Sequence, residues 1–246
     1  MNDHPRLSES EKPNQRQMED VDLFYDRMVQ EKDWDETANN FETQRRLEIV
    51  FRLLADFDLN GKTFLDGGSG GGHFSAKACS LGADVTSVDV GESLLDQVRA
   101  KCDSTTIIGD LMQLPFEDGS FDFVMSTEVI EHTPDPKVAL KELARVVKPG
   151  GRILVTTPCK TWQPVVRAAS TLKLRPFQGR ENFSWPRVGR RILEDCGVDV
   201  TKCFGFNLLP VFKPILKPFF KVTDKIGGVF PELFVNFALM GEKRID

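Results

Sequence analysis

Phe64-Leu-Asp-Gly-Gly-Ser-Gly-Gly-Gly-His-Phe74 is the stretch that decides the fold of this 246-residue chain. Residues 63–65 predict a buried strand that ends on Asp66, the glycines predict a tight turn, and a helix is predicted from about His73. So many glycines are tolerated where the backbone needs positive φ angles or where a ligand lies against it. A turn of this kind directs backbone N–H groups into the crevice beyond the strand, where open α/β sheets bind nucleotides.

The glycine spacing excludes the dinucleotide fingerprint, which needs glycines at positions i, i+2 and i+5. After the pair Gly68 and Gly70 the last position holds His73, and after Gly70 and Gly72 it holds Ser75. A NAD-linked reductase is therefore disfavoured.

The remaining pattern, Asp66-x-Gly68-x-Gly70-x-Gly72, resembles the first motif of class I S-adenosylmethionine (SAM) dependent methyltransferases. The resemblance continues through residues 118–158, which are similar to the small-molecule branch and to ubiquinone-biosynthesis O-methyltransferases. It implies SAM as cofactor, with these four residues in its binding site. It also implies an α/β fold, a Rossmann-like seven-stranded, mostly parallel sheet of order 3-2-1-4-5-7-6, with an antiparallel last strand and helices on both faces.

Acidic residues end the next two predicted strands, 84–89 and 106–110. Asp89 follows Asp66 at close to the roughly 20-residue offset at which an acid meets a nucleotide ribose in βαβ units. The resemblance assigns Asp89 to the ribose hydroxyls, Asp110 to the exocyclic amine of adenine, and the Leu111 backbone to the same loop.

Glu128, Glu131 and His132 follow the fourth predicted strand, 121–126. His132 is the candidate general base for an acceptor hydroxyl, and Glu128 is placed with the cofactor-binding residues. In the ubiquinone-biosynthesis enzymes that the chain resembles this triplet is a metal site, so Mg²⁺ is a candidate cofactor. In the alternative interpretation His132 braces the strand end and Glu131 caps the next helix.

Composition limits the partners. The net charge of −5 disfavours a nucleic-acid binder, but residues 160–191 hold eight basic side chains and one acidic one. This region suits an anionic substrate or an anionic membrane, or is a solvated basic face. Five cysteines without a Cys-x-x-Cys pair indicate reduced thiols. With no signal peptide and no apolar run near the roughly 20 residues of a membrane span, we expect a cytoplasmic protein, with peripheral membrane contact as an alternative.

A proline- and lysine-rich segment, residues 208–225, supports that alternative. Its prolines (210, 214, 218) preclude a long helix, and its lysines (213, 217, 221, 225) recur every four residues. Short helical turns would then separate the cations from the phenylalanines, giving an amphipathic surface for a lipid interface or a lipophilic substrate. An insertion packed into the domain with solvated lysines is equally consistent.

We expect a disordered tail over 1–17 and one methyltransferase domain over 18–246. Residues 18–60 would form a helical cap, with Tyr25 a candidate for the acceptor pocket, and 159–184 and 207–232 would be insertions near the active site. No pattern sets an oligomeric state.

The predicted function is methyl transfer from SAM to a hydroxyl of a small or lipophilic molecule such as a quinone precursor, phenol or glycolipid. The alternatives are N- or C-methylation of a small metabolite and a non-catalytic SAM-binding protein. Enzymes that methylate nucleic-acid or protein amines usually carry Asn/Asp-Pro-Pro-Tyr after the fourth strand, where this chain has Ser126-Thr-Glu-Val129.

Overall fold

The computed structural model describes residues 41–172, 181–209 and 214–245. The predicted tail and the first part of the cap, including Tyr25, lie outside the described residues, as do 173–180 and 210–213 within the two predicted insertions. The strands are β1 (Thr63–Gly67), β2 (Asp84–Asp89), β3 (Thr105–Ile108), β4 (Phe121–Thr127), β5 (Val147–Pro158), β6 (Val198–Phe206) and β7 (Asn236–Lys243). The α-helices are α1 (Phe41–Leu53), α2 (His73–Ser80), α3 (Glu92–Lys101), α4 (Pro136–Arg145), α5 (Gln163–Thr171), α6 (Pro186–Asp195) and α7 (Lys217–Thr223).

The seven strands form one sheet in the order β3-β2-β1-β4-β5-β7-β6. Strands β1 to β5 pair in parallel, and β7 runs antiparallel to both β5 and β6. The predicted order and the antiparallel last strand are confirmed. Because the winding of the sheet reverses between β1 and β4, the crevice for a ligand is expected beyond the carboxyl ends of these two strands.

Both faces of the central strands are buried, as is usual for parallel sheets. Side chains alternate along each strand: Phe64 joins one apolar cluster, with residues of α1 and α2, and Leu65 joins the other, with residues of α4 and α6. Neighbouring residues of β4 divide in the same way. Helices therefore cover both faces of the sheet, and a ligand is expected to bind at the ends of the strands.

Several predicted boundaries are wrong for local reasons. β3 ends at Ile108, so Asp110 lies beyond the strand, where its side chain accepts a hydrogen bond from the Met112 N–H. Residues 148–151 belong to β5, which pairs with β4 across a register shift. The last strand begins at Asn236, because Leu233 ends a short 3₁₀ helix.

Proline does interrupt the segment that follows β6, as predicted. The described part begins with a 3₁₀ turn, Pro214–Leu216, continues with α7, whose second residue is proline, and ends with a second turn, Asp224–Ile226. None of the helices in the described ranges is both long enough and apolar enough to span a bilayer.

Candidate active site

The glycine turn between β1 and α2 has three positive-φ glycines of the motif, with φ of 76° at Gly68, 50° at Gly70 and 79° at Gly72. They differ in what surrounds them. A Cβ atom at Gly68 would lie 2.4 Å from the Val129 side chain, and one at Gly72 would lie 2.9 Å from Val98, but one at Gly70 would meet nothing within 4 Å. Gly68 and Gly72 are thus required by packing, and Gly70 presents bare backbone to open space.

Asp89, the last residue of β2, is held against this turn by two backbone donors. Its Oδ2 accepts from the Gly70 N–H at 2.8 Å and its Oδ1 accepts from the Gly91 N–H at 3.2 Å. A carboxylate can accept about four hydrogen bonds. The two backbone bonds therefore fix the orientation of the carboxylate beside the turn.

Asp66 lies under the turn and is almost fully buried. Its Oδ2 accepts from the Ser75 hydroxyl at 2.6 Å, which ties β1 to α2. Burial raises the pKa of Asp66 to about 7, against the lowering effect of Ser75, and the charge of Asp89 raises it further. Oδ1 is buried and has no hydrogen-bond partner in the described parts of the chain, so Asp66 has one acceptor to offer to a donor above the turn.

Asp110 and Leu111 lie beside Asp89, because the Gly109 N–H donates to the Asp89 carbonyl at 3.0 Å. Asp110 is half-buried, and burial raises the pKa of its carboxyl group. The Leu111 side chain packs in the core, against Gly67. Only its backbone can face a ligand, as the sequence interpretation assumed.

Glu128 follows β4 in a conformation that non-glycine residues seldom adopt, with φ of 55°. Its Oε2 accepts from the Asn236 side-chain amide, and its Oε1 is buried without a hydrogen-bond partner in the described ranges. Burial raises the pKa of Glu128 to about 7, while the charge of Arg46 lowers it and that of Glu131 raises it. Such strain at a strand end is typical of functional sites.

Glu131 is buried in the 3₁₀ turn that follows, Ile130–His132, and accepts from the Thr157 hydroxyl at 3.0 Å. Burial raises the pKa of this carboxyl group as well, to about 7. The partly exposed His132 places Nε2 3.9 Å from the Glu131 Oε1 atom. Glu131 does not cap the next helix, because Asp135 accepts from the first N–H groups of α4.

The predicted metal site of Glu128, Glu131 and His132 is not supported. Among the residues that the structure describes, no three His, Cys, Asp or Glu side chains come together as metal ligands. The reason is that the two carboxylates are drawn to different partners, Asn236 and Thr157, on other strands. The arrangement of these side chains therefore does not support an Mg²⁺ site.

Arg46 of α1 is a site residue that the sequence interpretation missed. It donates to Glu42 at 3.0 Å. Burial lowers the pKa of its guanidinium, but Glu128, Glu42 and Glu131 together raise it above its ordinary value. Arg46 thus brings a positive charge over the two buried carboxyl groups at the end of β4. Nothing in the local pattern of α1 distinguishes it from a surface arginine.

Comparisons with known proteins agree with this geometry. A family model described as a methyltransferase domain matches residues 65–155. The ubiquinone biosynthesis O-methyltransferase of Pseudomonas paraeruginosa is 32% identical over 175 residues, which cover 63% of this chain and 72% of that protein.

Two solved structures show the same fold. A SAM-dependent methyltransferase from Thermotoga maritima has a TM-score of 0.64 at 18% identity, and the aligned region covers 90% of this chain and 99% of the T. maritima chain. The magnesium protoporphyrin IX methyltransferase of Synechocystis, with bound SAH, has a TM-score of 0.60 at 20% identity, and the aligned region covers 81% of this chain and 83% of the Synechocystis chain. With its glycine turn, strand-end acids and sheet order, the chain belongs to the SAM-dependent methyltransferases and is similar to the ubiquinone biosynthesis O-methyltransferases.

Proposed function

We propose that this methyltransferase transfers the methyl group of SAM to a phenolic hydroxyl of a small, lipophilic acceptor of the quinone-precursor type. The similarity to ubiquinone biosynthesis O-methyltransferases supports the acceptor class. The observation that carries the cofactor site is the pairing of Asp89 with Gly70, which sets a fixed carboxylate beside the one motif glycine that borders open space.

In this proposal each residue of the turn has a role. Asp89 accepts hydrogen bonds from the ribose hydroxyls, and the backbone at Gly70 lies against the cofactor. Asp110 accepts from the adenine amine beside the Leu111 backbone. Asp66, Gly68 and Gly72 give the turn its shape.

The acceptor would lie at the end of β4, where SAM supplies an activated methyl group for in-line displacement. Holding the two reactants in line contributes on the order of 7–11 kcal/mol. His132 takes the proton of the acceptor hydroxyl, which contributes about 10²–10⁴-fold. Glu131 stabilises the imidazolium that results, because its carboxyl group lies 3.9 Å from His132 Nε2. No step of this proposal uses a metal ion.

Calorimetry with SAM and methyl-transfer assays test the proposal separately. SAM should bind the wild-type protein, and Asp89→Ala should bind it at least about tenfold more weakly, since hydrogen bonds to a charged group are lost. The matched control is Asp84→Ala, at the exposed other end of β2. Equal affinities of Asp89→Ala and Asp84→Ala would refute the ribose assignment.

The acceptor class is tested with a catechol that carries an isoprenoid tail and with an amine of similar size. Methylation of the catechol that falls at least about hundredfold in His132→Ala supports the proposal. Transfer to the amine alone would refute O-methylation.

We also propose that the segment after β6, residues 207–232, makes peripheral contact with an anionic membrane. A lipophilic acceptor would then enter the site from that membrane. It exposes large apolar side chains, with relative exposures of 84% for Ile215, 64% for Val222 and 67% for Val229. Lys221 and Lys225 are exposed in the same segment. Apolar groups beside cations favour an anionic bilayer surface.

Vesicle sedimentation tests this contact. The protein should bind phosphatidylglycerol vesicles, release them at high salt, and lose binding in Val222→Ser/Val229→Ser. Ile108→Ser, an equally exposed position on the edge strand β3, is the control. Absence of binding at low salt would refute membrane contact.

A further inference from the structure

A line of buried polar side chains runs from the segment after β6 to Glu128. Arg45, Asp224, Asn207 and Asn236 have relative exposures of only 4%, 5%, 1% and 4%. They come from α1, from the turn after α7, from the residue that follows β6, and from the start of β7. Polar groups this deeply buried are retained in proteins where they are hydrogen-bonded, so the bonds between them define what the line does.

The bonds have one direction. Arg45 donates through Nη2 to Asp224 at 2.6 Å and through Nε to the Asn207 Oδ1 at 2.6 Å. Asn207 donates through Nδ2 to the Asn236 Oδ1 at 3.2 Å, and Asn236 donates to the Glu128 Oε2. Each amide accepts on the arginine side and donates on the glutamate side. Because hydrogen bonds in series polarise one another, the arginine charge strengthens the last donor, the one that holds Glu128.

The backbone holds both ends of the amide pair. Asn236 is flanked in the sheet by Pro158 of β5 and Phe206 of β6, and the Asn207 carbonyl accepts from the Val235 N–H at 2.9 Å. Asn207 has φ of 61°, in the left-handed region that asparagine tolerates better than most residues. Asn207 and Asn236 are therefore fixed side by side at the strand ends.

The ion pair at the far end is removed from water on both sides. Burial lowers the pKa of Arg45 and raises that of Asp224, so for both groups the loss of water outweighs their attraction. Buried ion pairs of this kind can often be replaced by apolar residues without loss of stability. The Arg45 guanidinium also lies 4.6 Å from the centre of the Phe220 ring, and its second hydrogen bond, to Asn207, connects it to the amide pair.

We infer that Asn236, oriented by Asn207 and Arg45, is a positioning residue for methyl transfer: it holds one carboxylate oxygen of Glu128 so that the other, Oε1, faces the reacting groups. The inference rests on the proposed function, in which the acceptor lies at the end of β4, the strand that Glu128 directly follows. It adds three residues that touch neither the glycine turn nor the strand-end acids of β1 and β2. Its consequence is that these residues act only through Glu128.

A double-mutant cycle tests this dependence. Asn236→Leu, an apolar replacement of similar size, should lower kcat/KM for the catechol about 10–100-fold, the range for losing a hydrogen bond to a charged group. In a Glu128→Ala background the same change should lower it less than about threefold, because the partner is already gone. Thr201→Val on β6, whose hydroxyl donates to the Met240 carbonyl at 3.4 Å, should leave kcat/KM unchanged.

The outcomes separate the two proposals. If the wild-type chain methylates no phenol, the proposed function fails, and the cycle is then measured on SAM affinity, in which Glu128 also takes part. Effects of Asn236→Leu and Glu128→Ala that multiply independently, in kcat/KM or in SAM affinity, would overturn the positioning role. A cycle that shows coupling only in thermal unfolding would also overturn it.

The outer links have their own test. Arg45→Met/Asp224→Leu replaces the ion pair by apolar side chains and should fold with a Tm close to that of the wild type. The loss of the donor to Asn207 should still lower kcat/KM several-fold. A normal kcat/KM in this double variant would exclude Arg45 and Asn207 from the positioning role.

Discussion

Alanine substitutions at three positive-φ glycines should separate packing from ligand contact. Gly61, between α1 and β1, has φ of 68° and no atom within 4 Å of an added Cβ, and Gly70 has φ of 50° and the same open surroundings. Gly68 has φ of 76° and Val129 carbon atoms 2.4–2.9 Å from its Cβ position. The three variants thus share the backbone strain, and only Gly68→Ala adds a clash.

The expected losses of stability follow from these surroundings. Alanine in the left-handed region costs about 1–2 kcal/mol, and about 1 kcal/mol lowers Tm by roughly 2–4 °C in a chain of this size, so Gly61→Ala and Gly70→Ala should each lose about 2–8 °C. Overpacking adds about 1–3 kcal/mol, so Gly68→Ala should lose about 4–20 °C.

SAM affinity should follow a different order. The methyl group of Gly70→Ala enters the space assigned to the cofactor, so we expect at least about tenfold weaker binding, which is about 1.4 kcal/mol. Gly61→Ala should bind SAM as the wild type does. Calorimetry measures the SAM affinity of each variant, and thermal unfolding of the same samples measures its stability. If Gly70→Ala binds SAM as tightly as Gly61→Ala, the cofactor does not lie against this turn, and the reasoning from open space to ligand contact is refuted.

Three further predictions concern charge. Burial raises the pKa of the carboxyl groups of Asp66, Glu128 and Glu131 to about 7. The folded chain therefore holds protons that the unfolded chain releases near pH 4. The free energy of unfolding should consequently fall as the pH rises from about 4 to 7. Glu131→Gln should flatten that fall in urea titrations across this range, and an unchanged slope would refute the raised pKa. The pKa of Asp122 is shifted in the opposite direction: burial raises it, but hydrogen bonds from Thr63 and Lys148 outweigh burial and lower it to about 2. Asp122 therefore stabilises the fold above about pH 4, and this stability is lost as the pH falls towards 2. Asp122→Asn should remove this contribution. Arg46→Met should raise the Glu128 pKa further and shift the pH dependence of SAM binding upwards, and an unshifted profile would remove Arg46 from the site.

The juxtaposition of the glycine turn and the strand-end acids could be predicted from sequence because these residues are local. Asp66 and the glycines follow one another in a single strand-turn-helix unit, and Asp89 ends the next strand of the same βαβ unit. A parallel sheet brings consecutive strand ends to one edge, so linear spacing is enough to place these groups together. The end of β3 could not be predicted from spacing alone. The strand ends at Ile108, and Asp110 lies in a turn in which its side chain accepts from the Met112 N–H.

The contacts around Glu128 could not be predicted in this way, because they join distant parts of the chain. The bond from Arg45 to Asp224 spans 179 positions, the bond from Arg45 to Asn207 spans 162, and the bond from Asn236 to Glu128 spans 108. No periodicity or motif pairs residues over such separations. The predicted metal site is not supported for a related reason, because the sequence of Glu128, Glu131 and His132 does not show that Asn236 and Thr157 bind the two carboxylates.

This division follows the limits of the shared family domain. The matched region, residues 65–155, contains the glycine turn, the strand-end acids and Glu128 itself. Three groups that contribute to the environment of Glu128 come from outside it: Arg46 and Arg45 from α1, and Asn236 from the last strand. A chain can therefore keep its cofactor chemistry while substitutions in α1 and after β6 change the charge, orientation and protonation of the carboxylate at the end of β4. Differences in acceptor among relatives with the same motifs should consequently correspond to residues outside the matched region, and exchanging α1 together with the segment after β6 should alter acceptor preference while leaving SAM affinity unchanged.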